Sequence, residues 1–488
     1  MKDVKQKVNK IKKLLNNNSD IVVCETQDGI VMYIDGISDT KEIDLNILGA
    51  DNESNIAEKQ LAKNLSELID ALLHGKAIKL TTSKDIIYNT TKYDMRSVSE
   101  PPTSVVIKGP REGFTENIKV NLCLIRKRLI TKNLVIQDFV IGRETKTCVK
   151  VLYLKNIANK TIAKELEKKL SSIDIDGIID SYYIMQFISS RPYSLFKQVG
   201  QSEKPDIICA KLLEGRFAII VDGSPIVLTV PFLLAEDLQS SNDYYSNHLR
   251  SSLVRIIRLI GAFTATLVPG IYLSLLLYHY EIVPLKFLVT IINTTQNLPL
   301  SPFLEIMFII LLFEILFEAS IRMPKYLGIA ISIVGALILG DTAVKAGLVS
   351  PPGVMVVAIS AITIYSVPDE SEIVSILRLI FTFLGGVLGL QGVLCGLIVL
   401  VSYLCNHTSF GVPYLAPYSP FILSDQKDFL FKANIVNLSA RPLGLNPKNK
   451  RRLNNEKDNW YKNGDCRFGP KFRGFKDDVF AVHLFGRT

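Results

Sequence analysis

Between residues 251 and 410 the chain carries only seven Lys or Arg and eight Asp or Glu. Within that stretch lie apolar runs at 256–279, 303–320, 327–344, 346–366 and 373–405. A helix needs about 20 apolar residues to cross a bilayer, so the region reads as membrane-embedded and a wholly soluble or disordered chain is excluded. The charges lie elsewhere: 35 Lys or Arg with 32 Asp or Glu in 1–250, and 14 with seven in 411–488, giving net charges of +3, −1 and +7 in chain order. With 48% apolar and 21% charged residues overall, the chain divides into a large polar N-terminal part, a membrane part and a short basic tail.

The polar part alternates strand and helix patterns. β-rich runs flank the turn Gln27-Asp28-Gly29 and again Ser83-Lys84-Asp85, with helical spacing over 55–73. A second unit starts near 111, with a helix carrying Leu122, Ile125 and Leu129 and a hairpin around Gly142-Arg143-Glu144. A strand at 149–154, helices at 160–170 and 203–213, and strands at 217–221 and 226–230 follow. This order predicts two α/β subdomains, 1–110 and 111–245, then an all-α polytopic transmembrane domain, 250–408, and a basic tail, 409–488. The N-terminus is basic without the unbroken apolar core of a signal peptide. The first 250 residues are therefore expected in the cytoplasm.

Lys and Arg collect at cytoplasmic span ends. Arg250, Arg255 and Arg258 precede the first run, and Arg322 with Lys325 lie between the second and third. With both termini inside the crossings must be even in number. Four full spans with 346–366 re-entrant is the preferred arrangement; six result if 373–405 is a hairpin at Gly385-Gly386 and 346–366 crosses. Gly385, Gly389, Gly392 and Gly396 offer small-residue faces for close helix packing.

Ionisable residues within a span cost roughly 2.5–3.5 kcal/mol each on insertion scales and call for partners. Glu314 and Glu318 share a helix face, with Glu305 about 180° away at about 100° per residue. Glu318–Arg322 and Asp341–Lys345 are spaced i,i+4, as ion pairs prefer. The first pair is expected to be buried or interfacial, the second a local staple, and Glu305 to sit at the outer interface; the alternative reading has the acids of the second run lining a cation path. Arg378, near a span end, is expected to snorkel to the headgroups. Ser350-Pro351-Pro352-Gly353 breaks the backbone at membrane depth, which only protein or water surroundings permit. A pore helix after the break would present Val356, Ser360 and Thr363 on one stripe with Val357 beside it, the valines closing the pore by dewetting. An ordinary span behind an outer loop is the equal alternative.

No Walker A loop, GxGxxG, HExxH or GxSxG is present, the five histidines are isolated, and seven scattered cysteines include no CxxC pair. No catalytic residue, cofactor or metal is implied. Cys395 and Cys405 read as small core hydrophobes, and Asp174, Asp176 and Asp180 as caps.

Several longer stretches resemble one family. These are GPREGF at 109–114 with NLCLIRKRL at 121–129, IDIDGIIDS at 173–181, LLEGRFAIIVDGSPIVL at 212–228, SIVGALILGDTAVKAGLVSP at 332–351 and FGVPYLAP at 410–417. Over about residues 20–440 the chain is similar to the A subunit of the GerA-type nutrient germinant receptors of endospore-forming bacteria. That resemblance implies a membrane protein of the spore inner membrane, and the charge pattern above makes it multi-pass with both termini cytoplasmic. The resemblance implies a transporter-like, nutrient-binding B subunit and a C-subunit lipoprotein as partners. It also implies a homo-oligomeric ring, a pentamer, forming a ligand-gated cation channel that triggers germination. VPDESEIV at 367–374 is more acidic than the family's usual turn, and after Arg441 no family pattern continues. The basic tail suits anionic membrane lipids, and no nucleic-acid partner is expected. A non-conducting scaffold that couples a partner's nutrient binding to a separate channel is the competing class. A transporter is less favoured, because no inverted repeat of the broken segment is visible.

Overall fold

The computed structural model describes residues 2–26, 28–44, 47, 59–62, 64–82, 84–92, 108–296, 298–322, 335 and 341–453. Helix α1 (Lys2–Leu14) is basic yet amphipathic, placing Val4, Val8 and Ile11 on one buried face. It packs on the first sheet, built from β1 (Ile21–Thr26), β2 (Gly29–Ile34), β3 (Lys59–Leu61), β4 (Ala77–Leu80) and β5 (Asp85–Tyr88). Their antiparallel order is β1-β2-β4-β5-β3, with the short helices α2 (Thr40–Ile43) and α3 (Leu65–Leu73) in the connections.

The second unit begins with α4 (Ile118–Arg128), capped by Asn117. Strands β6 (Leu134–Ile141) and β7 (Thr147–Leu154) form the expected hairpin. After α5 (Lys160–Ser171) and α6 (Ser181–Ile188) come β8 (Gly200–Ser202), α7 (Pro205–Glu214), β9 (Phe217–Val221) and β10 (Val227–Val230), in a sheet ordered β6-β7-β9-β10-β8. Asp180 caps α6 through the Tyr182 N–H at 2.9 Å. Asp174 and Asp176 instead face Arg143 as exposed ion pairs at 2.8 and 3.8 Å. One buried pair joins the two sheets: Arg126 donates twice to Asp20, Nε to Oδ2 at 2.9 Å and Nη2 to Oδ1 at 3.0 Å.

The 409–453 part of the expected tail is no tail. Phe410, Val412, Ala416, Phe429 and Leu445 belong to the apolar core of the second sheet. Backbone bonds fix the segment further, Leu234 N to Tyr414 O at 3.1 Å and Lys448 N to Ile157 O at 2.7 Å. Sequence patterning missed this because isolated apolar residues in a loop carry no period. Residues 454–488 lie outside the described residues.

The helical part starts with α8 (Ser241–Tyr244) and α9 (His248–Leu277). The half-exposed α10 (Leu285–Thr295) leads to α11 (Pro302–Arg322), and α12 (Pro351–Ile364) and α13 (Ser371–Cys405) complete the bundle. Two helices among the described residues, His248–Leu277 and Pro368–Cys405, are long and apolar enough to cross a bilayer. The expected span at 327–344 lies outside the described residues except for Gly335 and 341–344.

α13 is a hairpin whose turn is at Gly389 rather than Gly385-Gly386. Gly389 has φ 65° and ψ −155°, a combination open essentially to glycine alone. A Cβ at Gly396 would lie 3.0 Å from Phe381 on the first arm, whereas 15 residues of straight helix span about 22 Å. Gly385 lies on the backbone of Gly270, which lets α9 and α13 cross closely.

The first turn of α12 lies beside the start of α11, where Ser350 meets Glu305. Its far end lies beside the middle of α9, where Ser366 faces Gly261. It therefore runs antiparallel to α9, toward the α/β domain. Cys395 and Cys405 are exposed on the outer surface of the second arm, not in a core.

Candidate functional site

The helical half concentrates its polar chemistry at four places. At the first, Glu305 in the opening turn of α11 is 2% exposed, buried against α12. Its Oε1 accepts the Ser350 N–H at 2.7 Å and the Ser350 hydroxyl at 2.6 Å. Ser350 in turn caps α12 by accepting the Gly353 N–H at 3.1 Å. Pro351 and Pro352 stand at the first helical positions, where the missing N–H groups would have no intrahelical acceptor. The double proline is thus a helix start and not a break inside one. A Cβ on Gly353 would sit 2.6 Å from the Glu305 carboxylate, so a larger residue there would have to displace it from Ser350.

At the second, Arg378 on the first arm of α13 is buried and does not snorkel. Its Nη2 donates to Glu314 Oε1 at 2.5 Å, tying α13 to α11. Nε and Nη1 have no hydrogen-bond partner among the described residues. The pair borders a cavity of about 370 Å³ between α11, α12 and α13, lined also by Phe313, Phe317, Val354 and Ala358. The residues are 64 apart in sequence, and no local spacing signals them.

The i,i+4 pairs form, but on the surface. Glu318 Oε1 accepts from Arg322 Nε at 2.7 Å with side chains 58% and 79% exposed, and Asp341 meets Lys345 at 2.7 Å, also exposed. Neither pair binds a second helix among the described residues.

The third place is α12 itself. Val356, Val357 and Ser360, expected to face a pore axis, are buried. The Ser360 hydroxyl donates to Ala265 O on α9 at 2.6 Å, and Thr363 turns back to the Ile359 carbonyl of its own helix at 2.9 Å. The face that points away from the chain is Met355, Ile359 and Ile362, exposed by 52%, 44% and 69%. Helical spacing correctly grouped the residues; it could not say which group faces inward.

The fourth is a polar collar where the helices meet the α/β domain, which sequence reading missed. Arg255, fully buried on α9, donates to Asp243 Oδ2 at 3.2 Å, to Asp428 O at 2.8 Å and to Phe429 O at 2.8 Å. Arg258 adds a two-pronged contact to Asp243 at 2.6 and 3.0 Å. Nearby, Lys197 pairs with Glu370 in the α12–α13 turn at 3.4 Å, reaches Asp237 at 3.9 Å, and donates to the Asp369 carbonyl. Burial, with the Glu370 carboxyl beside it, pushes the Asp237 carboxyl well above the usual range. One lysine therefore serves two carboxyl groups, one on the α/β domain and one on the helical turn. The sequence assigns Arg255 and Arg258 to orienting the first span; their spacing of three is the signal that both face one partner. No His, Cys, Asp and Glu grouping suited to a metal ion occurs among the described residues.

Comparison with known proteins places this arrangement. The family model described as Bacillus/Clostridium GerA spore germination protein matches residues 9–443. Spore germination protein KA of Bacillus subtilis is 34% identical over 467 residues, 90% of this chain and 86% of that protein. Spore germination protein A1 of Bacillus subtilis is 33% identical over 414 residues, 82% of this chain and 85% of that protein. The crystal structure of the N-terminal domain of the A subunit of the Bacillus megaterium spore germinant receptor GerK3 aligns over 46% of this chain and 94% of its own, at 30% identity and TM-score 0.36.

Proposed function

The chain belongs to the GerA family of spore germination proteins, and from that membership we propose that it is the A subunit of a nutrient germinant receptor in the spore inner membrane. It works there beside a transporter-like, nutrient-binding B subunit and a C-subunit lipoprotein. The α/β domain and the segment after α13 face the cytoplasm, in keeping with Arg250, Arg255 and Arg258 at the base of α9. Copies assemble as a ring, a pentamer, whose opening lets cations pass and begins germination.

The observation that carries the channel reading is the outward face of α12. This helix is fixed at one end by the Glu305–Ser350 cap and at its middle by Ser360, while Met355, Ile359 and Ile362 are left for a neighbour. Around an axis such a stripe forms apolar rings, which close a pore by excluding water. The collar supplies the mechanical link, since Lys197 joins the α/β domain to the turn directly after α12. The scaffold reading draws on the same helix, because its hydroxyl-bearing stripe is used inside the chain.

Cation efflux from liposomes holding the purified chain separates the two. Ile359→Ser and Ile362→Ser are expected to raise basal efflux, and in spores to allow germination without nutrient. Val357→Ala, inside the bundle, is expected to alter abundance and leave efflux per molecule unchanged. No efflux change in either serine variant, at normal abundance, rejects the pore face and favours the scaffold.

A further inference from the structure

The α/β domain presents apolar side chains to solvent where it meets the bundle. Tyr193 is wholly exposed and Leu195 is exposed, both on the loop after α6, and Phe431 is exposed on the segment after α13. Single surface hydrophobics need no explanation. These three are distinguished by what holds them. Tyr403, in the last turn of α13, donates its hydroxyl to Ser194 Oγ at 2.8 Å, and Arg191 donates to the Asn406 carbonyl at 3.2 Å. Lys432 N donates to Ser252 Oγ, near the start of α9, at 3.0 Å. Both loops are thus pinned to helix ends on the α/β side, at the level where the exposed apolar surface of the bundle begins: Leu253 and Ile257 on α9, Val399 and Val401 on α13.

We propose that Tyr193, Leu195 and Phe431 enter the headgroup layer of the leaflet on the α/β side, so that this domain rests on lipid and is not held clear of it. Aromatic rings with a polar edge favour that layer, where the ring leaves water while the hydroxyl stays wet. The neighbouring cations, Arg191 by the first loop and Arg250 at the base of α9, are both exposed and suit an anionic leaflet. The continuity of these loops with the apolar helix surface favours lipid over a second copy of the chain as the occupant. The inference rests on the reading that the helices cross a bilayer.

Its test uses the full chain with its single tryptophan removed, Trp460→Phe, reconstituted in phosphatidylcholine–phosphatidylglycerol vesicles. The lipids are brominated either near the headgroup or near the chain end. Tyr193→Trp and Phe431→Trp are the probes, and Phe263→Trp, on the exposed side of α9, is the control. Both probes are expected to lose more fluorescence to the shallow bromines than to the deep ones, and the control to show the reverse. Probes quenched by aqueous acrylamide but by neither lipid, with the control still quenched by lipid, overturn the proposal and leave the bilayer reading standing. Probes shielded from acrylamide and lipid alike mean that a neighbouring copy covers the loops, which also overturns it. A control untouched by either lipid rejects the bilayer reading itself.

Discussion

The α/β half and the helical half choose their buried faces by different rules. In the sheets the inside is apolar: β2, β9 and β10 are fully buried runs, and α1 turns its Val and Ile residues inward. In the bundle the inside mixes apolar residues, such as Leu273, Ile309 and Phe381, with many small and polar ones. α9 buries Ser251, Arg255, Gly261, Thr266, Gly270 and Ser274, and α13 buries Arg378, Thr382, Gly385 and Gly392. Meanwhile Ile257, Ile260, Ile380, Phe383 and Ile398 point outward. In water, removing apolar area drives folding. Between helices in lipid that drive is missing, so close backbone approach and hydrogen bonding decide which face turns in. Hydrophobicity therefore tells inside from outside in one half, whereas in the other apolar residues lie on both sides and the small and polar ones mark the inside.

The sharpest way to break this comparison is at the collar, where the two rules meet. Arg255→Met leaves Asp243 with Arg258 and the Ser240 N–H, takes the side-chain donor from the Phe429 carbonyl and takes the paired cation from the Asp428 carboxylate. Uncompensated buried charge costs about 3–5 kcal/mol. Thermal unfolding of the full chain in detergent should show a loss of that order. A neutral result would mean that apolar packing alone seats α9 on the domain.

A smaller effect is expected at the helix cap. Glu305→Leu fits the apolar surroundings but strands the Ser350 N–H, at a cost of about 1–3 kcal/mol for one unsatisfied buried group. Glu305→Gln keeps an acceptor oxygen and should retain most of the stability and yield. If leucine is tolerated as well as glutamine, polar contacts do not organise the bundle interior. The smallest effect belongs to Glu318→Gln. Its i,i+4 partner Arg322 is exposed, and such pairs contribute about 0.3–0.5 kcal/mol. Unfolding midpoints should barely move, whereas a loss comparable to that of Glu305→Leu would reveal a second helix or a neighbouring copy against this face.

The sequence by itself determined the partition into two α/β units and a helical region, because a shift in charge density and two distinct apolar periods are local properties. It placed the hairpins, α9, α11 and the i,i+4 pairs. It also located the special glycines of α13, since a chain reversal or a close crossing can be built from few other residues. Tertiary structure alone decided the rest. The partner of Arg378 is 64 residues away, that of Glu305 is 45 away, and Asp428 reaches Arg255 across 173. No pattern within a helix encodes such distances. Nor could the apolar α12 announce that Val356 and Ser360 face inward while Ile359 and Ile362 face out, because in a uniformly apolar helix the orientation is set by the neighbour it meets, here the Ala265 carbonyl and the Gly261 surface of α9.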